Sequence, residues 1–274
     1  MARPDYADMP RRRKNGGGCM MALIVAGFAI FSYLGSSQTN PVTGESQRVA
    51  MTTDQEIAMG LQAAPEMARQ FGGTVSGPEA AMVSSMGEFI VRNSTAKSAP
   101  YEFEFHLLAD RKTVNAFALP GGQIFITRAL LERLQTQGQL AGVLGHEIGH
   151  VIERHSAEHM AKQQLTQGLT TAAVLASESA TAGMVAQAVG QMVNMKYGRE
   201  DELESDEWGV RLMVESGFDP NSLIGVMKIL EEASGGGNRP EFMSTHPNPG
   251  NRIERIRETI ATAYPDGLPE GLKP

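Results

Sequence analysis

The stretch 140–151, LAGVLGHEIGHV, sets two histidines and a glutamate inside an otherwise apolar run. Leu140, Val143, Leu144, Ile148 and Val151 recur at helical spacing and cover most of the helix surface, so the fold must bury His146, Glu147 and His150 with them. Buried polar groups need partners. On a helix, positions i and i+4 lie about 40° apart, so both imidazoles leave one face and can grip a single ion at roughly 2.0–2.1 Å. Glu147, about 100° round from His146, can lean over a water bound to that ion. The competing reading, a polar face turned to solvent, fits poorly with so apolar a helix.

A hydrolytic metal site needs a third protein ligand and an open fourth position. The acidic cluster Glu200-Asp-Glu-Leu-Glu-Ser-Asp206 offers candidates. Glu202 and Asp206 share a helix face, which assigns Glu202 as the ligand and Asp206 as the acceptor that fixes a ligand histidine's tautomer. Glu200 and Glu204 point away and suit solvent. The alternative is a plain acidic helix start, favoured by the macrodipole. His155 and His159 repeat the i, i+4 spacing, yet on one continuous helix they fall about 180° and about 140° away from His146 and cannot join the same ion, so surface or packing roles are expected of them ahead of a second metal site. His106, on a strand pattern, reads as structural.

With 41% hydrophobic and 20% charged residues the chain is globular, which excludes the disordered and collagen-like classes. Cys19, the one cysteine, excludes a disulfide scaffold. Charge is unevenly spread. The whole chain carries 24 − 31 = −7; residues 1–19 hold five basic and two acidic side chains, a net +3, which leaves −10 beyond them. So acidic a body excludes a nucleic-acid partner, which needs a basic footprint.

The basic head precedes MMALIVAGFAIFSYL (residues 20–34), and the uncharged run continues to Ser37, 18 residues in all. That length lies at the border between a spanning helix and a signal-peptide core, and both imply export. No Lys or Arg occurs between Lys14 and Arg48, so the positive-inside bias puts residues 1–19 in the cytoplasm and the rest beyond the membrane. The expectation is a single-pass protein of a bacterial-type inner membrane with a periplasmic body. Cleavage after Gly35-Ser36-Ser37, releasing a secreted protein, is the alternative.

The chain then divides into a basic tail (1–19), an anchor or signal segment (20–36), a Ser/Thr/Gly/Pro-rich linker (37–52) read as a tether, one folded domain (53–264) and a short tail (265–274). Thr53 and Glu56 read as a capping box opening a helix to about Gln70, and Pro78 starts a second helix. Tyr101–Leu107 and Gln123–Thr127 alternate as strands, with Asn115–Leu119 as a short extended piece between them. Helical patterns follow at Thr127–Leu134, Gln139–His159, Arg199–Ser216, Pro220–Ala233 and about Pro249–Ala263. The expected fold class is α+β, mostly helical, with a small sheet of about three strands. In segment 165–195, Glu178, Gln187 and Gln191 argue against a second membrane span, and the segment suits a helical hairpin or a mobile cover.

H-E-x-x-H followed by E-x-x-x-D on a later helix resembles the gluzincin pattern. Asn115-Ala-Phe-Ala-Leu-Pro-Gly-Gly122, HEIGHVIERHS (146–156), ELESD (202–206) and STHPNPGNRI (244–253) resemble the HtpX-like and CaaX-prenyl-protease family of zinc metallopeptidases over roughly residues 53–262. Ser205 stands where that family usually has Ala. The resemblance implies a zincin-type domain of the exported, single-span branch, holding one Zn²⁺ per chain on His146, His150 and Glu202. It implies Glu147 as general base and His246, from the His-Pro motif, either as donor to the oxyanion or as a latent fourth zinc ligand. Arg252 would anchor that loop. Asn115, Ala116, Phe117 and Ala118 resemble the edge strand that pairs with an extended peptide, which suits unfolded or misassembled polypeptide substrates. A non-enzymatic reading is a periplasmic chaperone or scaffold keeping the same fold. Elemental analysis is expected to find one zinc per chain, lost in His146→Ala; a metal-free native protein would remove the central claim.

Overall fold

The computed structural model describes residues 16–176, 198–234, 241–246 and 250–274. Helix α5 (Gln137–Ile152), which follows the single-turn α4 (Arg128–Leu131), lies at the centre, and every residue from Gly138 to Ile152 is buried. Thr136 caps its start by accepting from the Gln139 amide. A helix apolar on every side must be enclosed on every side. Helices α3 (Pro78–Arg92), α7 (Arg199–Glu215) and α8 (Asn221–Ser234) and a small sheet do this.

The sheet has the order β3 (Glu104–Leu108), β5 (Gln123–Thr127), β4 (Ala116–Leu119). β3 runs parallel to β5, while β4 pairs antiparallel with it, Phe117 opposite Phe125. Every residue of β5 is buried, because both faces are covered. Ile124 and Ile126 join Leu144 and Ile148 in the main core. Phe125 turns to the other face, where Leu108, Phe117 and Ala68 of α2 (Thr53–Gln70) form a second cluster. The expected class, mostly helical with a three-stranded sheet, is what the chain adopts.

Several local expectations change. The α2 cap is one residue earlier than Thr53–Glu56: Thr52 accepts from the Gln55 amide and the Gln55 side chain accepts from the Thr52 amide. Glu56 is used elsewhere, buried in an ion pair with Arg154. The helix expected to run from Gln139 to His159 breaks after Ile152, where Arg154 adopts the left-handed conformation with φ 56°. Its guanidinium turns inward, donating from Nε to Glu56 Oε1 at 2.9 Å and from Nη2 to the Met51 carbonyl at 2.9 Å, while the Tyr101 hydroxyl donates to Glu56 Oε2 at 3.1 Å. Helix α6 (His155–Ala176) therefore leaves in a new direction.

Residues 37–52 are no tether. They form a hairpin of β1 (Ser37–Thr39) and β2 (Ser46–Arg48) that docks on the end of α5. Asn40 Nδ2 donates to the Ile152 carbonyl at 2.8 Å and Gln47 Nε2 to the Glu153 carbonyl at 2.6 Å, so the hairpin satisfies acceptors left open where the helix stops. Nor does 265–274 trail away. The Lys273 amide donates to Gly217 at 2.9 Å, and the Pro274 carbonyl accepts from the Gly138 amide at 3.0 Å, at the opposite end of α5. The expectation for 165–195 is described only to Ala176; the rest lies outside the described residues.

Preceding the hairpin, α1 (Gly16–Gly35) contains an 18-residue window, Gly18–Gly35, of mean hydropathy 1.9, long and apolar enough to cross a membrane. Glu56→Ala is expected to destabilise the protein by about 3–5 kcal/mol, because it strands the buried Arg154 guanidinium; chemical denaturation reads this, and a loss under about 1 kcal/mol would refute the role given to the pair.

Candidate metal centre

The centre depends first on how closely α7 approaches α5. A methyl group added at Gly149 would lie 2.9 Å from Trp208 Cβ and 3.1 Å from the Ser205 backbone, and one at Gly145 would lie 3.4 Å from Gly209. Without side chains at these positions, α7 can lay its Glu202 and Asp206 face beside His146 and His150. Ser205 is fully buried at this contact, where only a small residue fits. Beyond α8, the short helix α9 (Phe242–Thr245) ends at His246, whose ring stacks on Phe242 at 4.4 Å between centroids. Helix α10 (Arg252–Ala263) brings in Arg252 at its first residue.

Four donor groups converge. His146 Nε2 and His150 Nε2 are 3.1 Å apart, and His246 Nδ1 lies 3.4 Å from the first and 3.1 Å from the second. Glu202 Oε1 stands 3.0 Å from His246 Nδ1 and 3.5 Å from His150 Nε2, with Oε2 3.6 Å from His146 Nε2. Ligands at roughly 2.0–2.1 Å from a tetrahedral ion are separated by about 3.3–3.4 Å, so these spacings fit the corners of such a site. All four side chains are buried. The imidazole and carboxylate donors fit a divalent metal ion, and His246 stands at the fourth corner.

The surrounding groups set charge and tautomer. Asp206 Oδ1 is 2.9 Å from His146 Nδ1, so it accepts that hydrogen and leaves the Nε2 lone pair facing the other donors. Arg252, itself buried, donates from Nε to Asp206 Oδ2 at 2.8 Å and from Nη2 to Oδ1 at 2.7 Å, and its Nη1 is 3.0 Å from Glu202 Oε2. Burial would raise the Asp206 carboxyl, yet the Arg252 guanidinium holds it below the ordinary range. Glu202 is likewise held well below its ordinary value, burial being outweighed by His246, His146 and Arg252. Burial would lower His146, but Asp206 and Glu202 raise it to about 9, whereas His150 is pushed well down by burial and by its neighbour. Glu147 is fully buried, with neither oxygen hydrogen-bonded among the described residues, and burial pushes its carboxyl up. Its Oε1 is 3.6 Å from His246 Nε2.

The sequence reading placed His155 on the far side of an unbroken helix. Because the chain turns at Arg154, His155 instead lies buried with Nδ1 2.8 Å from His150 Nδ1, and its Nε2 is 3.0 Å from Glu204 Oε2. If His150 held a metal through Nε2, its hydrogen would stay on Nδ1, and His155 would accept there and donate from Nε2 to Glu204. Glu204, expected in solvent, is half-exposed and completes this chain. His159 is 2.6 Å from Asp201. No spacing rule could have found His155, because its place depends on one residue's left-handed backbone. His106 is stacked on Phe125, and its Nε2 is 2.9 Å from Gln123 Oε1. Asn115, Ala116, Phe117 and Ala118 lie at the start of β4, whose second edge is paired with no strand among the described residues. All four are buried.

The sequence pattern of peptidase family M48 matches residues 78–260. The chain belongs to that family. Among its relatives, the beta-barrel assembly-enhancing protease of Escherichia coli (strain K12) is 30% identical over 259 residues, covering 89% of this chain and 52% of the relative. The protein of that name from Yersinia pestis is 29% identical over 245 residues, covering 85% and 50%. Mitochondrial metalloendopeptidase OMA1 of Schizosaccharomyces pombe (strain 972 / ATCC 24843) is 28% identical over 244 residues, covering 88% and 71%. The chain spans about half the length of the beta-barrel assembly-enhancing proteases it matches. M48 membership accords with the resemblance carried by HEIGH, ELESD and the His-Pro loop.

Three substitutions separate support from packing. Asp206→Ala is expected to lower metal affinity about 10–100-fold in chelator competition. His155→Leu should do the same, whereas His155→Asn, which can still present an acceptor to His150, should recover most of the affinity. Equal affinity in the Leu and Asn variants would reduce His155 to packing.

Proposed function

We propose that this chain is a zinc-dependent metalloendopeptidase, held to a membrane by α1 with its catalytic body on the side opposite the basic head. The observation that carries this reading is the convergence of His146, His150 and Glu202, all buried, beside the fully buried Glu147. Three-ligand sets of imidazole and carboxylate suit zinc, and bound zinc supplies Lewis acidity and a water of pKa about 7. Asp206 and His155 hold the two imidazoles in the required tautomers, and Arg252 keeps the two carboxylates of α7 compatible with each other. Glu147 takes a proton from the attacking water and delivers it to the leaving amine. An extended segment of substrate pairs with the open edge of β4 at Asn115–Ala118, a backbone contact that binds many sequences and suits unfolded chains.

For His246, the spacing of Nδ1 from the other three donors supports the latched reading over the oxyanion-donor reading. In that state it fills the position that catalysis needs open. Peptide hydrolysis then requires the residues around 246 to withdraw. The names of the relatives from Escherichia coli and Yersinia pestis point to the assembly of β-barrels, and misassembled envelope proteins are the substrate class we assign here. The α1 helix packs along α6, which supports a retained anchor over a cleaved signal.

Glu147→Gln is expected to keep its metal and lose at least about 10³-fold of its cleavage of unfolded casein, taking the upper part of the range for general acid–base catalysis. Wild-type rates in a metal-loaded variant would overturn the mechanism, and aggregation suppression without any cleavage by the wild type would favour the scaffold reading. His246→Ala is expected to raise basal cleavage. A fall instead would mark His246 as the oxyanion donor.

A further inference from the structure

Helices α1 and α6 lie side by side and antiparallel. A methyl added at Gly168 would sit 2.4 Å from Ala29 Cβ, and one at Gly18 would sit 3.1 Å from the Leu175 carbonyl. Ala22 of α1 and Ala161 and Ala172 of α6 are buried along this contact. At the other end, a cavity of about 210 Å³ is lined by Val25, Ala29 and Ser36 of the α1 segment and by Ala161, Leu165 and Gly168 of α6. Small residues facing small residues bring the two backbones close, as they do between helices within a bilayer.

Their charge-free stretches are in step. The apolar window of α1 ends at Gly35, and α6 draws level with that end at Ala161, next to its last charged residue, Lys162. From Gln163 to Ala176, α6 carries no charge, and this is the part that runs back alongside α1 as far as Gly18. Leu169 and Leu175 are exposed, 39% each, beside the exposed Leu23, Ile24 and Phe28 of α1. The apolar surface of the anchor therefore continues onto a helix of the catalytic body. A helix packed this closely cannot stay in water while its neighbour crosses the membrane.

We infer that α6 from Gln163 to Ala176 enters the lipid bilayer beside α1, with acyl chains covering Leu169 and Leu175. The inference rests on the proposal that α1 is a membrane anchor. Gln163, Gln164, Thr166, Gln167, Thr170 and Thr171 are polar but uncharged, and each costs far less within a bilayer than a charged side chain would. Lys162 lies at the interface, where its amine reaches the headgroups. Residues His155–Lys162 then span the distance from bilayer surface to metal centre, about 12 Å at 1.5 Å per residue, because His155 abuts His150. The catalytic helix is thereby fixed close to the membrane surface, and the substrates it reaches are polypeptides lying at that surface.

Spin labels at single cysteines in a Cys19→Ser background, with the full chain in phosphatidylcholine/phosphatidylglycerol liposomes, test this. Leu23 and Leu169 are expected to be open to oxygen and closed to a water-soluble nickel chelate, and Lys162 the reverse. A Leu169 label open to nickel, or closed to both reagents, while Leu23 reads as lipid, overturns the inference and leaves the anchor standing. A Leu23 label open to nickel overturns both.

Discussion

A helix with no solvent-facing side cannot keep charged groups unless other elements answer them. His146, Glu147 and His150 lie on such a helix, and the arrangement around α5 follows from that. α7 supplies Glu202 and Asp206, which as two buried carboxylates would repel each other. The Arg252 guanidinium reaches both, pairing with Asp206 through two nitrogens and with Glu202 through the third. The glycines at 145, 149 and 209 let the two helices meet closely enough for this to happen. Removing the α10 cation would leave two desolvated negative charges, so α10 belongs to the catalytic centre as much as α5 does.

The same arrangement explains the position of His246. The stretch that leads to Arg252 starts from α9, whose Phe242 amide bonds to the Val114 carbonyl at 3.1 Å, just ahead of β4. One short connection therefore touches the strand, presents an imidazole to the metal donors and anchors the carboxylates. Events at the strand and at the fourth ligand position share a backbone.

Much of this was legible in the sequence because it follows helical spacing. The His146/His150 pair and the Glu202/Asp206 pair each share a helix face, and that geometry needs only the local period. The strand at Gln123–Thr127 was legible from its alternating pattern, although the structure buries both of its faces. What escaped depended on tertiary context. Thr53 and Glu56 match a capping box as well as Thr52 and Gln55 do, and only the demand of Arg154 for a buried carboxylate decides between them. Similarly, His155 was assigned to the wrong side because the left-handed turn at Arg154 falls on a residue whose type gives no sign of it. Residues 37–52 have the composition of a linker, yet Asn40 and Gln47 are amides whose donors find the carbonyls at the end of α5.

The two segments that look least structured hold the two ends of the most buried helix. The hairpin closes one end and Lys273-Pro274 the other, although they lie more than two hundred residues apart in sequence. Such long-range closures make folding slow, because the entropy of joining distant parts must be overcome before the contacts return anything. The helix that carries HEIGH is held at both ends only once residues as far along as Lys273 and Pro274 have joined it. Until then a polypeptide that already carries HEIGH has an incomplete donor set, since Glu202 and His246 also follow it in the chain.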